Sequence, residues 1–414
     1  MKKILWLCNS AFTDNKIKTN GSWLQPLAEL LQQSGDIQLY NITLGNVKEI
    51  QKNTYQNIVQ WIIPQGKLSN HGQIASLETY QYISQIEQEI QPDLVHIWGT
   101  ESIWCDAYRK GFIKSKALLD IQGILALCYF FYYGNLTTKE ILKCIHLKEI
   151  IMPWRTLFHK KQVFKERGII ETACLKQFSY ISYQSDWVKN HLSFINPQTQ
   201  LHATKILLRK SFYTSIPWQY KQSNSSPIIF TTASGAIPYK GMHILLKSIS
   251  LLKNKYPQIK LHIAGQMKIG NRLLDGYSIF LQKLIRKYQL EENIVYLGPI
   301  DETQIVKELQ QCNVCVIPSF VETYCLAFAE SMIVGAPTIA SYAGAMPELG
   351  DHKKECLFYN PSDFHMCAYY IDKLIQNKEL AETLSYNGRQ KRLIENDPQT
   401  VLKTQLEIYN NILL

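Results

Sequence analysis

The chain has 414 residues, of which 46% are hydrophobic and 19% charged; this excludes a disordered or collagen-like polypeptide and allows two or three domains, each with its own core. Lysine plus arginine number 44 against 34 for aspartate plus glutamate, a net charge of +10, but no zinc finger, RNP-type motif or dense basic helix accompanies it, so nucleic acid is not the expected partner. The 10 cysteines are scattered, mostly in apolar company, as in reduced, buried thiols of a cytoplasmic protein.

The opening MKKILWLCNS lacks a small-residue cleavage site and runs into polar Asn9, Ser10, Thr13 and Asp14. It is expected to be a first strand, not a signal peptide. Residues 23–33 read as a helix, with Pro26 in the first turn and Gly35 at the end. IQLYNITL, NIVQWIIP, DLVHIWGT and ALLDIQG are short apolar runs bounded by turn residues, hence strands, and residues 75–90 carry apolar side chains at helical spacing. The run GILALCYFFYYG (residues 123–134) is too short for a membrane span, which takes roughly 20 residues. Its aromatics are expected to pack in the core or in a loop rather than to form a cofactor box. Residues 143–167 hold seven Lys/Arg and two Glu, interleaved with Ile150, Ile151, Trp154, Leu157 and Phe158. Such a stretch suits a solvated helix face, an anionic membrane surface or a phosphate-bearing molecule.

Residues 213–226 are polar, contain Pro217 and read as a linker. Beyond them PIIFTTAS, KLHIAGQ, IVYLGPI, VCVIPSF and PTIASYAG read as strands, with helices expected at 242–255, 273–289, 303–311 and 324–334. Cys312 and Cys315 form a lone CxxC without further metal-ligand spacing nearby, so no metal site is expected. After Asp397-Pro398 an amphipathic helix runs to 413. The fold class expected is α/β, with two Rossmann-like doubly wound domains facing across a cleft: a first domain at 1–212, a linker at 213–226, a second domain at 227–396, and a terminal helix at 397–414. In doubly wound sheets ligands bind beyond the carboxyl ends of the strands.

Two stretches carry chemistry. In VIPSFVETYCLAFAESMIVGAP a strand ends at Pro318-Ser319, a loop presents Glu322, and a helix is expected to begin near Tyr324. The amides of Tyr324, Cys325 and Leu326 would then lack intrahelical partners and, with the helix dipole, suit a phosphate. Glu330 follows Glu322 by eight residues, and a carboxylate there can accept two hydrogen bonds from a vicinal diol such as ribose. In TTASGAIPYKG, Lys240 stands before a helix start, where an ammonium can neutralise a diphosphate. Gly21, in a first-domain turn, would let backbone approach a ligand closely.

The ordered set Pro318-Ser319, Glu322, Glu330, Gly335 and Pro337, with Lys240-Gly241, Ala264-Gly265, Leu297-Gly298 and Glu348, resembles the family 4 retaining glycosyltransferases of the GT-B fold over about residues 227–350. The resemblance implies transfer of a hexose from a nucleoside diphosphate sugar, of UDP or GDP type, to a carbohydrate or lipid-linked acceptor in cell-surface polysaccharide synthesis. It implies no cofactor, no metal, and a place in the cytoplasm or at the inner face of the membrane. Glu330 would hold the ribose and Glu322 the donor sugar, while Lys240 and the amides after Thr323 would stabilise the leaving diphosphate. Base contacts would lie around Gly298. Two positions depart from the family. Ser234 stands where an arginine is usual, and Gln122 where a histidine often lies near the reacting sugar; Gln122 can hydrogen-bond a hydroxyl but cannot act as a base. His96 is expected to be a partly buried strand residue. The competing readings are a non-catalytic nucleotide-sugar-binding scaffold and a nucleotide-sugar epimerase.

Overall fold

The computed structural model describes residues 1–13, 23–222, 226–233, 235–267 and 275–414. Gly21 and Ser234 lie outside them. Internal contacts divide the chain into two units, each an α/β layer structure around a parallel sheet.

The first unit comprises Met1–Leu127, Val163–Leu207 and Asn396–Leu414. Its strands are β1 (Lys2–Leu7), β2 (Ile37–Gly45), β3 (Gln51–Tyr55), β4 (Ile58–Pro64), β5 (Leu94–Trp98), β6 (Ala117–Asp120), β7 (Tyr180–Tyr183) and β8 (Gln200–Ala203), in the order β3-β4-β2-β1-β5-β6-β7-β8. All neighbours pair in parallel except β3 and β4. The central β5 and β6 are buried along their whole length, as sheets covered by helices on both faces require. The C-terminal helix Pro398–Leu413 belongs to this unit: the Tyr409 hydroxyl lies 3.0 Å from Trp6 Nε1 and 2.8 Å from His96 Nδ1. His96 is fully buried against Trp98, and burial holds its pKa well below the usual histidine value, so it is a neutral core residue.

The second unit comprises Cys128–Gln162 and Leu208–Glu395. Its strands β9 (Ile228–Ala233), β10 (Lys260–Gly265), β11 (Ile294–Gly298), β12 (Val314–Ile317), β13 (Thr338–Ser341) and β14 (Leu357–Tyr359) form a parallel sheet ordered β11-β10-β9-β12-β13-β14. Two boundaries differ from the sequence expectation. Residues 128–162 pack with the second unit: Lys160 pairs with Asp275 and Lys247 with Glu140, both at 2.9 Å, and a Cβ on Gly134 would lie 2.4 Å from the Pro238 carbonyl. The expected linker is also packed in its first half. Trp218 is buried, its Nε1 donating to the Cys312 carbonyl at 2.7 Å and its amide to Val334 at 3.0 Å.

Candidate active site

The second unit gathers the candidate side chains beyond the carboxyl ends of β9 and β12. After β9 the chain turns through Pro238–Lys240 into Gly241, whose φ of +71° puts a would-be Cβ 1.9 Å from the Pro318 carbonyl, so only glycine fits. The Phe320 amide donates to the Tyr239 carbonyl at 2.7 Å, tying the loop after β12 to the loop after β9. Lys240 and Glu322 thereby meet, with Nζ 2.6 Å from Oε1. Burial works against the Lys240 ammonium, but the Glu322 charge and hydrogen bond outweigh it and hold the lysine pKa above its ordinary value. Behind Glu322, Gly344 has φ +55° and would place a Cβ 2.2 Å from the Glu322 carbonyl, which accepts from the Ala345 amide at 2.9 Å.

The following helix, Leu326–Val334, begins two residues later than expected. Cys325 precedes it in the left-handed region, at φ +83°, so Tyr324 and Cys325 stand before the first turn and Leu326 alone of the three expected donors is helical. No side chain caps this end. Burial pushes the Cys325 thiol pKa well above its ordinary value. Residues 322–327 are half-buried between a buried strand and a buried helix, which leaves the loop accessible.

Glu330 lies inside the helix and is 8% exposed. Its Oε1 accepts from Arg209 Nη2 at 2.8 Å, and Arg209 Nε lies 3.7 Å from Glu302 Oε2. Burial raises the Glu330 carboxyl pKa while Arg209 opposes the rise. Arg209 escaped the sequence reading because it stands alone, at the N-terminal edge of the helix Lys210–Thr214 and far upstream of its partner. Gly298 ends the edge strand β11, at φ +69° with open space where a Cβ would stand, two strands from β9.

In the first unit Gln122 follows β6, next to Gly99 and Gly123. Would-be Cβ atoms on these glycines would lie 2.2 and 2.9 Å from the two carboxylate oxygens of Glu101. Sequence reading missed Glu101, which had no motif around it. Two further carboxyls sit behind it. Asp120 accepts from Ser182 at 2.7 Å and Gln184 at 2.6 Å; Glu171 accepts from Thr100 and, at 3.1 Å, from the Ala126 amide. Burial pushes Asp120 up to about 8 and Glu171 up to about 7. Unfolded carboxyls titrate near ~4, so between roughly pH 4 and 8 the native state binds more protons and stability falls as pH rises. The double variant D120N/E171Q is expected to flatten that slope, by at least ~1 kcal/mol or about 2–4 °C in Tm between pH 5 and 8, in thermal melts. Parallel slopes for parent and variant would show that these carboxyls ionise in the native state.

Among the described residues no group of three His, Cys, Asp or Glu could hold a metal ion, and no helix is long and apolar enough to cross a membrane.

The model of the family described as "Glycosyl transferases group 1" matches residues 218–391. The uncharacterized glycosyltransferase YqgM of Bacillus subtilis is 27% identical over 176 residues, 42% of this chain and 47% of that protein. The chain thus spans about half the length of this curated relative. Sucrose-phosphate synthase from Thermosynechococcus elongatus superposes with a TM-score of 0.73 at 16% identity, covering 100% of this chain and 99% of that one. HepE of Anabaena, solved with UDP and glucose, superposes with a TM-score of 0.69 at 15% identity over 99% and 100%. These likenesses carry the GT-B fold across the whole chain, and the match to the group 1 glycosyl transferases falls on the unit that holds Lys240, Glu322 and Glu330.

Proposed function

We propose that the chain is a retaining glycosyltransferase that moves a hexose from a UDP- or GDP-type nucleotide sugar to a carbohydrate or lipid-linked acceptor in polysaccharide synthesis. The observation that carries this reading is the meeting of Lys240, Glu322 and an uncapped helix N-terminus beyond β9 and β12. An ammonium held charged by a carboxylate, beside a helix N-terminus that no side chain caps, is suited to a diphosphate whose negative charge grows as it leaves. The Leu326 amide and the backbone before it, at Tyr324 and Cys325, face the same task. Glu330, with Oε1 on Arg209, would take the ribose diol, and Gly298 would leave room for the base. Glu322 would orient a donor hydroxyl, and Gln122, with Glu101 beside it, would contact sugar hydroxyls from the first unit.

In this mechanism the bond from the anomeric carbon to the diphosphate oxygen breaks, the acceptor oxygen bonds on the same face, and the acceptor proton passes to the departing phosphate. Charge compensation comes from Lys240 and the amides, with no metal ion or cofactor. The site in the second unit is expected to raise Tm with UDP or GDP, by roughly 2–4 °C for each kcal/mol of binding. Sugar transfer should survive chelation by EDTA. No Tm shift with UDP, GDP, ADP or their sugars would overturn the reading, as would isomerised donor formed without acceptor.

A further inference from the structure

The short helix Leu147–Ile151 in the second unit is built inside out. Its acidic residue, Glu149, is 1% exposed, while Leu147 and Ile150 are 71% and 66% exposed. Glu149 is fixed inward: one oxygen accepts from the amide of His146 at 3.2 Å, the other lies 3.9 Å from Arg155 Nε, and a Cβ on Gly276 would come within 3.3 Å of the carboxylate carbon. With its acid turned in, the helix can only present its aliphatics outward. Ile151 and, within the turn Pro153–Arg155, Trp154 extend the same exposed surface. It is prolonged by a chain of rings: Phe158 packs edge-on against Tyr133, Lys161 lies 4.5 Å over Tyr133 and 4.8 Å over Tyr129, and Tyr129 meets exposed Phe130.

Exposed apolar residues scattered singly are ordinary, but a contiguous group marks a contact surface. The charge around this one selects the partner. Lys139, Lys143 and Lys148 are exposed and Arg155 half-exposed, whereas the two acids of the stretch are withdrawn, Glu140 to Lys247 and Glu149 to the interior. An apolar ridge with a cationic border and no outward acid complements a surface that is apolar within and anionic at its rim. We propose that residues 139–158 dock on an anionic lipid bilayer, with Leu147, Ile150, Ile151 and Trp154 entering the headgroup–acyl boundary and the lysines at the level of the lipid phosphates. The inference does not depend on the sugar-transfer reading.

Vesicle flotation of the full chain tests it. Binding is expected to phosphatidylcholine vesicles containing phosphatidylglycerol at low salt, to weaken about fivefold for each basic residue lost in K143Q/K148Q, and to fade at high salt. L147S/I150S/W154S, all at exposed positions, should keep the parent Tm and lose binding at least about tenfold, since each apolar side chain withdrawn from the interface forfeits its transfer energy. K403Q, on the exposed face of the C-terminal helix, should float like the parent. No flotation on anionic vesicles at low salt would overturn the proposal, as would unchanged flotation of the apolar triple variant. So would a concentration-dependent dimer that the triple variant abolishes and vesicles do not displace, because the ridge would then seat a second copy of the chain.

Discussion

Lys240→Ala is expected to lower kcat/KM for sugar transfer by about 10²–10³-fold. Among the described residues Lys240 is the cation that pairs with Glu322, and the glycine-pinned loops after β9 and β12 fix where the two meet. The loss compounds, because Glu322 is then left as an uncompensated carboxylate where, on the proposed reading, the diphosphate would sit; two like charges about 4 Å apart at an effective dielectric near 20 repel by about 4 kcal/mol. K240A/E322Q should therefore bind UDP more tightly than K240A while transferring sugar no faster. Lys240→Arg should recover part of the rate, since the charge returns but the planar fork does not reproduce a point donor. Calorimetry for nucleotide affinity and initial rates for transfer separate the two terms. Near-parental transfer by K240A would remove the basis of the mechanism.

Arg209→Ala is expected to act first on stability. Arg209 and Glu330 have side chains 13% and 11% exposed, so removing the guanidinium leaves a carboxylate with little water around it. Breaking such a pair costs about 3 kcal/mol, or roughly 6–12 °C in Tm for a unit of this size. Replacing both partners with methionine should restore most of that Tm, since the desolvated charge is gone. Nucleotide affinity should behave differently. In R209A the Glu330 carboxyl loses the group that opposes its raised pKa, so affinity should fall and become steeper with pH, lost as pH drops through the carboxyl pKa. If Glu330 holds the ribose diol as proposed, the methionine pair should be stable yet bind UDP at least about 10²-fold more weakly, for want of two charge-assisted hydrogen bonds. If the methionine pair binds UDP as the parent does, Glu330 does not hold the ribose.

The legibility of this chain follows from where its physics is local. The strands of both sheets that are buried on two faces, such as β5, β6, β12 and β13, announce themselves as apolar runs. By contrast β3 (QKNTY) is an almost wholly exposed, polar antiparallel edge and β14 is three residues long, and neither is marked in the sequence. Lys240 and Glu322 were legible because turn glycines and prolines fix their loops within a few residues. Arg209 was not, since its partner is 121 residues away. The helix start at Leu326 was misjudged because a cysteine, not a glycine, occupies the left-handed position before it. Burial of Glu149 beneath its own helix is a tertiary outcome that composition alone reads as its opposite.

The backbone passes between the two units four times, at 127/128, 162/163, 207/208 and 395/396. Neither half can therefore be lifted out with a single cut. A hybrid joined to a relative at residue 212 would carry residues 128–162 away from the native surface they cover, and would inherit a foreign mate for Gly134 and Lys160. Exchanging one unit between relatives would need breakpoints that keep this excursion with the unit it packs on.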